Sequence, residues 1–429
     1  MSPLSETATA LCVVFLLLAP LALAGVALMN AGLGRSRNAS HSMMAAMCVI
    51  AVATCVYFVI GAGLQGYRGE VGRAITLGGK PWNWFGQGRL FLLGLPLDGS
   101  PAFLTAWLGL ISCALAGMIP LGSGADRWRL RSICVSTSVL AGVTVPLVSH
   151  WSWGTGWLAQ LGTNYGLGGG YLDAGGAGAV HVVGGFTALS LTWLLGTRRG
   201  KYTSDGMPIA IPGHNAVFVL FGALLALVGW LALNSAGSLL LAGVDPGRIP
   251  LIGVNTLLCA CSAALSAAIT TRVRFTKADA SLTANGWTAG LAASSAVCAF
   301  VAPAAALIVG LVAGVLIPVA VELLDLRLDV DDPGGSISVH ALGGLWGLVA
   351  VGLFGRLEAA SAGQLLAQVV GIATLLGFAF PFTFGVNWLL NRLVPYRVSP
   401  EGEHLGMDLY ELGAGAYPEF VTHTDEYTR

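Results

Sequence analysis

Apolar stretches about as long as a hydrocarbon core is thick, roughly 20 residues, recur along the whole chain, separated by short segments rich in Gly, Arg and Asp. Eleven runs predict helices, at about 8–30, 42–64, 101–122, 132–150, 177–196, 214–234, 250–271, 281–300, 303–322, 337–355 and 364–391. The runs are continuous rather than alternating, which points to spanning helices and away from a transmembrane barrel. No soluble domain is left over. A transmembrane unit covers 1–392 and a polar tail covers 393–429. The first run contains LALA, but no basic residue precedes it and Arg35 and Arg37 follow, so it reads as a retained span rather than a cleaved leader.

Basic residues test the helix count, because they concentrate on the cytoplasmic side of short loops. The odd loops hold Arg35 and Arg37; Arg127, Arg129 and Arg131; Arg198, Arg199 and Lys201; Arg272, Arg274 and Lys277; and Arg327. Among even loops, the long second one holds Arg68, Arg73, Lys80 and Arg89, and the others contribute only Arg248 and Arg356. This alternation needs eleven spans. It predicts a multi-pass protein of the plasma (inner) membrane, with the N-terminus outside and the C-terminus cytoplasmic.

Composition fits a bilayer protein: 55% of the 429 residues are hydrophobic, 10% are charged, and the formal net charge is zero. Nothing in that balance suggests nucleic acid. The eight cysteines fall in or beside the apolar runs with no CxxC pair, and read as small buried residues. No Ser/His/Asp constellation, P-loop or metal-ligand spacing is present. Neither an enzyme nor a cofactor is expected.

Two segments repeat a pattern that apolar spans seldom carry: GAVHVVGG at 178–185 and ISVHALGG at 337–344, sharing V-H-x-x-G-G. His181 falls in the fifth predicted span and His340 in the tenth, so the motif closes two consecutive five-helix units. Because five is odd, the second unit enters the membrane from the opposite side, the plan of inverted repeats. Repeat 1 spans about 8–196, repeat 2 about 214–355, and helix 11 about 364–391. A polar side chain deep in a bilayer is costly and usually faces a cavity or a partner. The histidines therefore read as a facing pair on a narrow conduit, with interhelical structural bonding as the alternative. Ligation of a haem by the pair is set aside for want of further histidines. His41, His150, His214, His404 and His423 read as loop or interface residues. Spacings such as Gly310 with Gly314 and Gly343 with Gly347 predict close helix contacts.

Several ordered segments resemble the ammonium transporter (Amt/Rh) family over nearly the whole chain. They are GVALMNAGLGRSRN, SWGTGWL followed by LDAGGAGAVH, GHNAVFVLFGALLALVGW, VDDPGGSISVHALGGLWGLVAVGLF and LGMDLYELGAGAYPEF. The resemblance implies a homotrimer with a pore through each subunit. It also implies that ammonium captured in an outer vestibule gives up its proton and crosses as ammonia past two hydrogen-bonded histidines, here His181 and His340. Trp153 matches the vestibule tryptophan, whose ring face would hold a small cation; an interfacial anchor is the equal alternative. Asp173 matches the family's acid near the vestibule, and on the residues alone it also suits a cap of the fifth helix.

The outer half departs from the family. Ser112 and Leu233 stand at the two positions normally filled by a pair of gating phenylalanines. The stretch NSAGS is one residue longer than usual, so the vestibule serine is Ser238 or its place is taken by Gly237. An acid usual five residues before the second histidine is Gly335 here. The expected function is a channel-like transporter conducting ammonium/ammonia or a closely related small molecule. The alternative is a non-conducting ammonium sensor of the same fold. The tail reads as a solvated cytoplasmic segment, with a cytosolic regulator as its alternative partner.

Overall fold

A computed structural model describes residues 4–66, 73–356 and 361–417; Arg68 and the tail from 418 onward, including His423, lie outside them. Eleven long helices follow in chain order: α1 Glu6–Leu33, α2 Ser36–Gln65, α3 Pro101–Gly124, α4 Leu130–Trp153, α5 Ala177–Leu195, α6 Ala216–Leu240, α7 Pro246–Phe275, α8 Ala280–Val297, α9 Pro303–Arg327, α10 Ile337–Phe354 and α11 Gly363–Leu393. Within α1 the ladder is interrupted where Pro20, which has no N–H to donate, starts the second segment.

Ten of these helices are long and apolar enough to span a membrane on composition alone. The exception, α8, carries Asn285, Thr288, Ser294 and Ser295, yet from Ala284 onward nearly every residue is buried. A helix enclosed by other helices presents no face to lipid, so it tolerates polar side chains that find protein partners. The predicted small-residue contacts are present. A Cβ at Gly347 would lie 2.8 Å from the Cα of Ala293, which joins α10 to α8, while Gly310 and Gly314 of α9 lie against Cys259 and Ala263 of α7.

Helices α5 and α10 cross antiparallel. A Cβ on Gly185 would come within 2.7 Å of the Ala341 Cβ, and one on Gly344 within 2.7 Å of the Ala177 carbonyl oxygen. The bracing around them repeats in inverted order. Gly175, just before α5, donates its N–H to the Ser295 carbonyl of α8 (2.6 Å), while Asn234 of α6 bonds Ser294. Gly334, just before α10, donates to the Gly122 carbonyl of α3 (3.0 Å), while Asn30 of α1 bonds the Met118 carbonyl. Thus α6 and α8 hold α5 as α1 and α3 hold α10.

The second loop contains a hairpin that the charge reading of that loop did not anticipate: β1 Arg73–Leu77 pairs antiparallel with β2 Lys80–Phe85. Gly78 and Gly79 join them at φ +60° and +75°, the two left-handed positions of the tight hairpin turn.

The odd loops and the tail meet on one side, as the charge alternation requires. Arg35 faces Asp126, Arg198 bonds both Asp126 (3.2 Å) and Asp331 (2.9 Å), and the Arg199 N–H donates to Glu403 of the tail (2.7 Å). The tail is not a solvated segment up to Tyr417. Glu403 and Asp408 are buried. Asp408 accepts the Ser40 and His41 N–H groups at the start of α2, and Glu411 accepts that of Leu130 at the start of α4. Carboxylates placed there satisfy orphan donors and meet the positive ends of the helix dipoles. His41 and His150, expected as loop or interface residues, lie inside helices: His41 in α2 bonds Glu411 at 2.8 Å, and His150 is buried in α4, with Nδ1 on the Gln65 carbonyl at 2.7 Å. Of the cysteines, Cys12, Cys113, Cys259 and Cys298 are buried, whereas Cys55 is exposed on α2.

Burial alone would raise the Asp331 carboxyl, but Arg127 and Arg198 outweigh it and hold it down to about 2. A carboxyl depressed in the fold stabilises above its unfolded range, about 4, and that contribution disappears as pH falls towards 2. The melting temperature of the detergent-solubilised protein is expected to drop over this window. Asp331→Asn should flatten part of the drop; an unaltered pH profile in that variant contradicts the assignment.

Candidate functional site

The site is built where α5 and α10 begin. Both starts follow a longer shared pattern, D-x-G-G-x-x-x-V-H-x-x-G-G: Asp173 to Gly185 and Asp332 to Gly344. Asp173 Oδ2 accepts the N–H groups of Gly178 and Ala179, each at 3.0 Å. Asp332 accepts those of Ser336 and Ile337, each at 2.9 Å. The fourth position of both, Gly176 and Gly335, is left-handed at φ +91° and +68°, which only glycine adopts cheaply. A wide π turn then carries each histidine, over Ala177–Val182 and Ile337–Leu342. Such turns widen the helix and often mark functional positions.

His181 and His340 face each other as predicted. Their ring centroids are 5.2 Å apart with planes 24° from parallel. Trp230 of α6 packs beside both, near-parallel, 5.2 Å from His181 at 10° and 6.4 Å from His340 at 17°. No hydrogen bond joins the two rings, although the resemblance implies one, and both Nδ1 atoms are buried without a partner. His181 Nε2 lies 3.4 Å from Ser295 Oγ. The two Nδ1 atoms are thus open to a third molecule.

On the even-loop side of His181, a small cavity of about 10 Å³ is lined by Ser112, Trp153, Val180, Leu233 and Gly237, with Leu108, Leu115 and Leu241 adding apolar walls. Trp153, Ser112 and Leu233 are thus brought together. Of the two NSAGS candidates, Gly237 lines this cavity. Ser238 is fully buried away from this cavity, its Oγ 3.8 Å from Cys298 Sγ. The Trp153 indole donates to the Asp173 carbonyl at 2.7 Å, which fixes the ring against the start of α5.

Asp173 serves first as a cap. Burial pushes its carboxyl up to about 6, against the opposing pull of backbone N–H groups from Ala179 and its neighbours. Its Oδ1 has no partner. Trp230, Ser295, Asn234 and Asp332 escaped the sequence reading. Asp332 had a signal, the extended motif with its acid eight residues before the histidine. Trp230 had none, since an aromatic in an apolar span looks like any core residue.

These features define a class: an α-helical membrane protein of inverted repeats with an imidazole pair in its core. A family model described as Ammonium Transporter Family matches residues 10–417, so the chain belongs to that family. It is 37% identical to "Ammonium transporter Amt2" of Archaeoglobus fulgidus, covering 93% of this chain and 85% of that one. It is 30% identical to "Ammonium transporter" of Bacillus subtilis, over 92% and 94%. A solved structure titled "Sensor Amt Protein" superposes with a TM-score of 0.84 at 26% identity, covering 94% of this chain and 98% of that one.

Proposed function

We propose that this protein is a channel-like transporter that passes ammonium/ammonia, or a closely related small molecule, along His181 and His340. The observation that supports this most is the apposition of the two D-x-G-G-x-x-x-V-H-x-x-G-G helices, which sets two neutral-sized ring donors and acceptors face to face in an otherwise apolar interior. A bare ammonium ion there would forfeit its hydration at great cost, whereas ammonia needs only a hydrogen-bond partner. Trp153 and the charge of Asp173 would favour a cation at the even-loop mouth by attraction to the ring face and by local potential. The proton is given up on that side, and ammonia passes the imidazole edges.

The rest of the reading follows the family and the charge pattern. The protein sits in the plasma (inner) membrane with its N-terminus outside and its odd loops and tail inside, assembles as a homotrimer with a pore in each subunit, and offers the docked tail to a cytosolic regulator. The transmembrane unit covers 1–392, with repeat 1 about 8–196, repeat 2 about 214–355 and helix 11 about 364–391. The leucines around the cavity favour a second reading, a sensor that binds ammonium without passing it; the similar solved structure carries that word in its title.

Reconstitution in liposomes decides between them. An outside ammonium step should shift internal pH faster than in empty liposomes, and Trp153→Leu should raise the half-saturating ammonium concentration by about threefold to tenfold, as loss of one cation–π contact would. Ammonium binding without flux selects the sensor; neither binding nor flux rejects both.

A further inference from the structure

One buried polar group close to the histidine pair has no assigned work. Asn285 of α8 is 4% exposed, and its carbonyl oxygen has no hydrogen-bond partner. Its amide lies against Gly335, where a Cβ would run into Asn285 Nδ2 and come 3.5 Å from Ser338 Oγ. Gly335 stands five residues before His340, at the turn that opens α10. The glycine is required twice there, by its φ of +68° and by the amide filling the space a side chain would take.

Asn285 also lies on the same wall as the histidine pair. Farther along α8, Ala289 packs on Gly343, Ala293 on Gly347, and Ser295 reaches His181. At a rise of about 1.5 Å per residue, Asn285 and Ser295 are roughly 15 Å apart along this helix. Ser295 therefore marks the imidazole level, and Asn285 lies from it towards the odd loops, beside the turn that opens α10. A buried amide oxygen without a donor is unfavourable unless something supplies one. Ser338 does not, because its hydroxyl donates to the Gly335 carbonyl at 3.1 Å.

We propose that Asn285 Oδ1 is the cargo's hydrogen-bond acceptor at the odd-loop end of the passage, receiving an N–H group as the molecule leaves His340. This rests on the conduction reading above and adds a specificity residue to it. The ligand class is a small neutral N–H donor. An amide accepts from such a donor without contributing charge, so it compensates the loss of the imidazole contact yet does not trap a cation.

The test is flux in proteoliposomes for the full chain carrying Asn285→Leu or Asn285→Ser. Leucine removes the acceptor at similar size, and serine restores an acceptor oxygen. Asn285→Leu is expected to lower maximal flux about tenfold, the worth of one buried hydrogen bond, with an unchanged half-saturating concentration because Trp153 is untouched. Asn285→Ser should recover most of the rate. Parent-like flux in Asn285→Leu overturns the proposal and leaves conduction standing. Equal losses in both variants, with lowered melting temperatures, assign Asn285 a packing role and overturn it as well. Absence of flux in the unsubstituted protein removes the conduction reading, and this proposal falls with it.

Discussion

Alanine at His181 or at His340 is expected to reduce ammonium-driven flux in proteoliposomes on the order of a hundredfold, the lower range for a positioned proton-transfer group. The two rings and Trp230 pack as one cluster of near-parallel rings, so removing either imidazole takes away a hydrogen-bonding edge and also a surface its neighbours rest on. His181→Ala should be the more disruptive of the two, because His181 lies 5.2 Å from both Trp230 and His340 and is the one that reaches Ser295. Replacement by leucine would fill the space but supply no donor or acceptor, and should be no more active than alanine. If either alanine variant carries ammonium within twofold of the parent, the imidazoles are packing residues and the conduit runs elsewhere.

Loss of Arg198 should be the most destabilising single change. Its guanidinium bonds Asp331 through Nε and a terminal nitrogen, at 2.9 and 3.0 Å, and reaches Asp126 at 3.2 Å; all three side chains are buried. Truncating one partner of a buried charge cluster leaves the remaining carboxylates only partly compensated, Asp126 by Arg35 and Asp331 by Arg127, each at 3.8 Å, at a cost of about 3–5 kcal/mol. Arg127 cannot take over. It is wholly buried, its guanidinium is already committed to the Gly196, Ala125 and Asp331 carbonyl oxygens, and burial lowers it to about 10 in spite of Asp331. Arg198→Ala should therefore lower the melting temperature in detergent far more than Arg199→Ala, whose backbone N–H rather than its side chain meets Glu403. Equal shifts for the two variants would show that the cluster is not a stability element.

Much of the architecture was legible because the bilayer imposes a length on every span and a sidedness on Lys and Arg. The eighth run is the most polar, and α8 alone falls short of the others in apolar composition. The charge alternation supports it, because only a further crossing returns Arg327 to the side of Arg272. The hairpin was legible too, in the alternation around Gly78 and Gly79, but a count of basic residues does not register backbone pairing. The tail misled in the opposite direction. Glu403, Asp408 and Glu411 look like solvated charges until the helix starts they cap are placed beside them.

For the site, sequence determined the kinds of residue and their order: two histidines at equivalent places in two halves of opposite orientation, a tryptophan and an acid ahead of the first, and serine and leucine where the family carries phenylalanines. Periodicity and inverted symmetry suffice for that, being properties of one chain read in order. Only the tertiary structure decided that the imidazoles lie near-parallel with no hydrogen bond between them, that Trp230 packs beside both, that Gly237 rather than Ser238 lines the cavity, and that Asn285 is left with an unmet acceptor. Each of these depends on the rotation and depth of one helix against another, set by close packing at glycines such as Gly185 and Gly344 between segments far apart in the chain, and no local pattern of residues encodes such a distance.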